Sequence, residues 1–171
     1  MEVIIQPDSE QASQLAARLV KKIIMEKDRP VLGLPTGNTP LLLYRYLVEM
    51  HRKEGLNFSR VVTFNLDEYV GLSPDHPASF HYFMWKHLFS QVNIRPENVH
   101  IPDGLASDME AHCRQYEEEI KVAGGLDIQI LGIGTDGHIG FNEPTSSLSS
   151  RTRIKTLTEQ TRKENATLFG A

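Results

Sequence analysis

Cysteine is almost absent from this chain, and Cys113 has no second thiol with which to form an internal disulfide. The N-terminus, MEVIIQPD, lacks the basic flank of a signal peptide, so a reducing cytoplasm is the expected compartment. Long apolar runs are missing too. None approaches the ~18 residues that a membrane-spanning helix needs, which argues against a membrane role. Basic charge is not in excess: the net charge is −4, with the two signs interspersed, and this leaves no electrostatic footprint for nucleic acid. There is no internal repeat, low-complexity stretch or linker. What is present is ordinary globular material, 171 residues of which 40% are hydrophobic, enough for one domain spanning 1–171 with a sizeable core.

Read in order, the chain alternates short apolar runs with helical periodicity. Val3 to Ile5 reads as a strand closed by Gln6-Pro7-Asp8, and Leu15, Leu19, Val20, Ile23 and Ile24 then repeat at helical spacing. Pro30 to Leu34 is a second strand. Thr39 and Pro40 offer an N-cap and a first-turn proline for a helix with the stripe Leu43, Leu47, Met50. A strand at Arg60 to Leu66 and a helix from about Ala78 to Phe89 follow, then a short strand near Val99 and a helix from Ser107 to Ala123. Cys113 lies on that last helix's stripe with Met109, Tyr116 and Ile120, so packing is expected to outweigh reactivity there. A central strand at Leu126 to Leu131 completes the series. Such alternation predicts an α/β fold of the doubly wound, Rossmann-like kind, a mostly parallel sheet with helices on both faces. Ligands in these folds bind beyond the carboxyl ends of the strands, which directs attention to three loops.

The loop after the expected central strand is the densest in chemistry. LGIGTDGHIGFNEP, Leu131 to Pro144, sets Asp136, His138 and Glu143 among four glycines. An imidazole flanked by carboxylates is an acid–base apparatus, because the carboxylates can fix its tautomer and raise its basicity. The glycines suggest close approach of backbone to a ligand. Gly132, Gly134 and Gly137 also spell the dinucleotide fingerprint, but no helix is signalled at the third glycine and no acid closes the next strand-like run. Zinc is disfavoured as well, for want of a second histidine one helical turn away or a cysteine pair. His51, His76, His81, His87, His100 and His112 have no clustered partners, and packing or surface roles suffice for them.

The two other loops add to this. GLPTGNTP, Gly33 to Pro40, is a turn feeding a helix N-terminus, where Thr36, Gly37, Asn38 and Thr39 could cradle a phosphate; it lacks the GK[ST] of a nucleotide-binding loop. LDEYVG, Leu66 to Gly71, places Asp67 and Glu68 just past an apolar strand, and adjacent residues point apart, so at most one of them should face a site. Further on, Arg151, Arg153 and Lys155 alternate along RTRIKTL. If this is a strand, all three share a face and form either an anion site or an edge blunted by charge.

Taken together, GLPTGNTP, VVTFNLDEYVGL, HCRQYEEE, GIGTDGHIGFNEP and SSLSSRTRIKTLT closely resemble the glucosamine-6-phosphate deaminase (isomerase) family, colinearly and over essentially the whole chain. The sibling 6-phosphogluconolactonases share the early phosphate turn and the G-x-G-x-D-G-H start. They typically have DER where this chain has Asp67-Glu68-Tyr69, and they lack the FNEP continuation. The resemblance implies conversion of glucosamine 6-phosphate to fructose 6-phosphate and ammonia in amino-sugar catabolism, with no organic cofactor and no catalytic metal. On that reading His138, assisted by Asp136 and Glu143, moves protons during ring opening. Asp67 shifts a proton from C2 to C1, and Thr36 to Thr39 hold the phosphate. It also implies that Ser146, Arg153 and Lys155, with Tyr116 as a weaker contact, bind the activator N-acetylglucosamine 6-phosphate between subunits of a hexamer. Members of the family generally continue beyond the equivalent of Ala171 with further strands, helices and a phosphate-binding lysine, and Thr167 stands where relatives have an arginine. A C-terminally incomplete chain, open at its sheet edge and prone to self-association, is therefore expected. The remaining readings are a lactonase-like hydrolase and a sugar-phosphate-binding module without turnover.

Overall fold

The computed structural model of the chain is described for residues 2–134, 137–147 and 149–165. Asp136 and Thr167 lie outside the described residues. Helix α1 (Ser9–Glu26) starts where Asp8 accepts the Gln11 N–H at 2.7 Å, a cap worth about 1 kcal/mol. Its buried face is Ala17, Val20 and Ile24, while Leu19 points outward. Strand β1 (Val31–Leu34) leads to α2 (Leu41–Glu54), which ends on Gly55 in the left-handed conformation, φ 73°. Strand β2 (Val62–Asn65) is followed by α3 (Phe80–His87), which runs on as a tighter turn over Phe89–Gln91. Next come β3 (Val99–His100), α4 (Met109–Val122), β4 (Ile128–Gln129) and α5 (Glu159–Asn165).

The strands are all parallel, in the order β3-β2-β1-β4. Successive side chains of β1 and β2 point to opposite faces, and both faces are covered. Leu32 and Leu34 join α1, α2 and α3 in one core around Tyr44, Leu47, Phe58 and Met84. Val31, Val62 and Phe64 pack under α4 through Tyr116 in a second. The doubly wound class is therefore as the alternation indicates. Because the chain steps outward from β1 to β2 and β3, then returns to pair β4 on the other side of β1, the direction of winding reverses between β1 and β4. A crevice at the carboxyl ends of the strands is expected at such a reversal.

Gly33 sits at this seam. A Cβ there would come within 2.8 Å of Gln129 Cγ and 3.0 Å of Leu126 Cδ1, so only glycine admits β4 at its present distance. Asp127 ties the start of β4 to β1 by accepting the Val31 N–H at 2.9 Å, with Lys27 3.0 Å from its other oxygen.

Four expectations are corrected. Val3 to Ile5 are extended and exposed without strand pairing, because a strand needs a neighbour that local sequence cannot supply. Among the described residues, the strand expected to be central and buried is short and comes last in the sheet order; Leu131 is 47% exposed and Ile133 78%. Thr39 does not cap α2: Pro40 occupies the cap position, without a side-chain hydrogen bond. Residues 151–157 form no strand, so their alternation does not define a face.

Candidate active site

The loop leaving β2 separates its two adjacent carboxylates by what they touch. Glu68 accepts three backbone N–H groups, those of Tyr69 (2.8 Å) and Phe80 (3.0 Å) on one oxygen and that of His81 (2.9 Å) on the other. Together with Ser79, which accepts from Tyr82 N at 3.0 Å, it satisfies the orphan donors at the start of α3. Glu68 is thus the structural member of the pair. Asp67 has no such donors among the described residues. Burial, reinforced by the neighbouring Glu68 charge, pushes its carboxyl from 3.8 up to about 7. That is where a general base at neutral pH is most effective.

The loop is held from outside as well. Gly71 N donates to Gly104 O at 2.8 Å, and the two segments are so close that a Cβ on Gly104 would fall 2.3 Å from the Tyr69 carbonyl oxygen. The Tyr69 ring lies 4.8 Å from Phe80 and 6.1 Å from Phe141, centroid to centroid. Phe141 belongs to the loop that leaves β4. This aromatic cluster therefore joins the Asp67 loop to the loop carrying His138.

The His138 loop is a small hairpin in which Ile139 bridges both Ile133 and Asn142. Gly134 N donates to His138 O at 2.8 Å, and Gly137 N to Gly134 O at 3.0 Å. Gly137 and Gly140 adopt left-handed φ values of 90° and 59°, which favour glycine. Gly134 has a different reason. A Cβ there would meet the His138 imidazole at 2.2 Å, so this glycine makes room for the ring; the close approach expected toward a ligand is made toward the site's own histidine. No helix opens between residues 137 and 147, which removes the structural half of the dinucleotide fingerprint.

Glu143, the third group of this loop, is 5% exposed. Its Oε1 accepts the Thr158 N–H at 3.0 Å and the Thr161 hydroxyl at 2.8 Å, while Oε2 has no hydrogen-bond partner among the described residues. The two threonines were not singled out in the sequence. The signal was there, since Thr158 precedes the helix-forming EQTRKEN and caps it, its Oγ1 accepting from Thr161 N at 3.3 Å.

The loop after β1 lies at the same edge of the sheet. Gly37 has φ 94°, Thr36 and Gly37 are half-buried, and Asn38 and Thr39 are exposed ahead of α2. The base of the turn is fixed by Tyr44, whose hydroxyl donates to the Pro35 carbonyl. Asn65 Nδ2 donates to Leu34 O at 3.0 Å, which ties the ends of β1 and β2 together.

The basic segment is disposed otherwise than a charged strand face would be. Arg151 lies 3.4 Å from Glu117 of α4, and Arg153 Nη2 donates to Asn142 Oδ1 at 2.8 Å; Lys155 is exposed. Ser146 Oγ is buried without a hydrogen-bond partner among the described residues. Tyr116 does not join this group. It is 4% exposed, and its hydroxyl lies 2.8 Å from Asn65 O and 3.0 Å from His100 O, so core packing explains it and a surface ligand would not reach it. The other histidines pack locally: His100, for example, stacks on Phe64 and lies 3.1 Å from Glu119. Cys113 is half-buried, and burial is the main cause of its raised thiol pKa.

Residues 8–166 match the model of the glucosamine-6-phosphate isomerase/6-phosphogluconolactonase family. A glucosamine-6-phosphate deaminase of Thermoanaerobacter pseudethanolicus is 57% identical over 169 residues, covering 99% of this chain and 67% of that protein. The chain belongs to the glucosamine-6-phosphate deaminase family. A deaminase of Drosophila melanogaster is 50% identical over 174 residues, covering 99% of this chain and 64% of its own length. The chain thus spans about two thirds of the length of the deaminases it matches. Among solved structures, a monomeric glucosamine-6-phosphate deaminase superposes with a TM-score of 0.97 at 48% identity, covering 100% of this chain and 71% of that one. The 6-phosphogluconolactonase of Thermotoga maritima is more distant, with a TM-score of 0.66 at 28% identity over 81% of this chain and 62% of its own. Among the described residues, no helix is long and apolar enough to cross a membrane.

Proposed function

We propose that this chain carries the acid–base and phosphate-binding residues of a glucosamine-6-phosphate deaminase, an isomerising enzyme that converts glucosamine 6-phosphate and water to fructose 6-phosphate and ammonia. The observation that carries the reading is the division of labour at the end of β2: Glu68 is consumed by three backbone donors, and Asp67 beside it is left half-buried, its carboxyl pushed up to about 7. In the sequence of steps, Thr36, Gly37, Asn38 and Thr39 hold the phosphate and so fix the sugar before reaction. His138, with Asp136 and Glu143, moves the proton between the ring oxygen and the anomeric hydroxyl, opening the pyranose to the aldehyde. Asp67 removes the C2 proton to give an enolamine and returns it to C1, leaving an imine at C2. Water adds to that carbon, and ammonia departs.

The regulatory reading is a separate proposal. Ser146, Arg153 and Lys155 would take the phosphate and hydroxyls of N-acetylglucosamine 6-phosphate, and Arg153 is the member that touches the catalytic loop, through Asn142. It presumes a homo-oligomer, a hexamer by resemblance, although one relative of 48% identity is a monomer. Sedimentation tests the assembly directly.

The functional test is ammonia release from glucosamine 6-phosphate, run beside hydrolysis of 6-phosphogluconolactone and calorimetric binding of each. Ammonia release with no lactone hydrolysis is expected. Lactone hydrolysis alone would make the protein a lactonase, and binding without turnover would make it a sugar-phosphate module.

A further inference from the structure

A buried carboxylate is costly unless its oxygens are hydrogen-bonded, and Glu143 divides its two oxygens unequally. Oε1 receives two donors, the Thr158 N–H and the Thr161 hydroxyl. Both come from the start of α5, and neither comes from the loop on which Glu143 stands. Thr161 is 2% exposed and could have spent its proton on a carbonyl one turn back in its own helix, as threonines within helices often do. It donates to Glu143 instead.

The direction of the whole chain of bonds follows from this. The single Thr161 hydroxyl proton is donated to Oε1. The 3.0 Å contact between the Thr158 and Thr161 hydroxyls must then be donated by Thr158. Thr158 Oγ1 in turn accepts from Thr161 N at 3.3 Å. Three groups are thereby locked in one orientation, and each polarises the next. The arrangement leaves Oε2 buried and without a hydrogen-bond partner among the described residues, five residues beyond His138.

We infer that Thr161 is a positioning residue for Glu143: its hydroxyl, oriented by Thr158, anchors Oε1 so that α5 and the His138 loop move as one body and the direction of the Glu143 carboxylate is fixed. The inference deepens the deaminase reading and rests on it for the identity of the reaction, but the anchoring itself is independent of turnover. Val and Ser at position 161 separate the two things a threonine offers, since Val keeps the shape without the hydroxyl and Ser keeps the hydroxyl without the methyl.

The test measures kcat and KM for ammonia release, and amide hydrogen exchange at Thr158, in the parent, Thr161→Val and Thr161→Ser. Thr161→Val is expected to lower kcat and to speed Thr158 exchange, each by roughly tenfold, with KM changed by less than about twofold, as follows from losing one hydrogen bond to a charged acceptor. Thr161→Ser should stay near the parent in both. A Ser variant as impaired as Val, or a Val variant indistinguishable from the parent, would overturn the inference and reduce Thr161 to packing. If the parent itself releases no ammonia, the deaminase reading fails for this chain, and unchanged exchange in Thr161→Val would separately refute the anchoring.

Discussion

The loops that leave β2 and β4 deliver acid–base groups to one edge of one sheet, yet they are held by opposite means. The β2 loop is fixed by backbone donors: Glu68 takes three N–H groups, Gly71 is bonded to Gly104, and Tyr69 is wedged between aromatic rings. The β4 loop, as far as its described residues show, rests on absent side chains, with Gly134 vacating the space the imidazole fills and Gly137 and Gly140 turning the chain. Among its described residues, a buried anchor is borrowed from α5 through Glu143. The difference teaches that a carboxyl held at a raised pKa can be built on a loop fixed by backbone donors, whereas an imidazole can be seated by the space its neighbours leave.

The sharpest way to break the comparison is Asp67→Asn. Turnover should fall by ~10²–10⁴-fold with little change in substrate affinity, because only the transition state needs the base. The same variant should be more stable at neutral pH. The folded state holds the Asp67 proton up to about pH 7 against 3.8 ordinarily, so between these values the native state binds more protons and stability declines as pH rises. The penalty is complete above pH 7 and amounts to at most about 4 kcal/mol. Asparagine removes it; melting curves of the two proteins should diverge at pH 8 and converge near pH 4, and parallel curves would place Asp67 in contact with solvent.

Second in size is Gly134→Ala. The new methyl would lie on the His138 ring, and displacement of a reacting group by about 1 Å commonly costs on the order of 100-fold in rate. Gly132→Ala is the control, since a Cβ there meets nothing within 4 Å. Equal losses in the two would mean that glycine flexibility, rather than room for the imidazole, is what the loop requires.

Glu68→Ala comes next and acts on stability first. Leaving N–H groups at the start of α3 without their acceptor should cost about 2–3 kcal/mol, read from urea unfolding, with Glu68→Gln milder. The smallest effect on folding belongs to Arg153→Ala, expected within about 0.5 kcal/mol of the parent because the side chain is exposed. Its signature is functional: N-acetylglucosamine 6-phosphate should shift substrate saturation in an assembled parent and leave this variant unmoved.

Much of this was legible in the residues. The alternation of apolar strands and amphipathic helices gave the parallel sheet, and two carboxylates after an apolar strand announced that only one would be free. Which one is named by the family resemblance but not by the residues themselves, because the physical answer lies in the N–H groups of residues 80 and 81, a fold-level juxtaposition. Likewise the anchoring of Glu143 by Thr161 joins positions 18 apart in sequence. The misplacements share a cause as well. Val3 to Ile5, Leu126 to Leu131 and Arg151 to Leu157 all have strand-like composition, but strand formation depends on a partner, and composition is silent about partners. Tyr116 was drawn toward the effector by resemblance, although its own helical stripe already placed it in the core.

Gly33 has a consequence beyond strand packing. Because β4 approaches β1 only where that residue offers no side chain, the lateral offset between the loops that leave β1 and β4 is gauged within the sheet itself, at the contact of Gly33 with Gln129 and Leu126. A spacer the size of a methyl group at that point would tilt β4 outward and swing the His138 loop away from Asp67 as a lever swings about its pivot. The placement of the His138 loop is in this sense a manufacturing tolerance of the sheet, set before any side chain on it has chosen its rotamer.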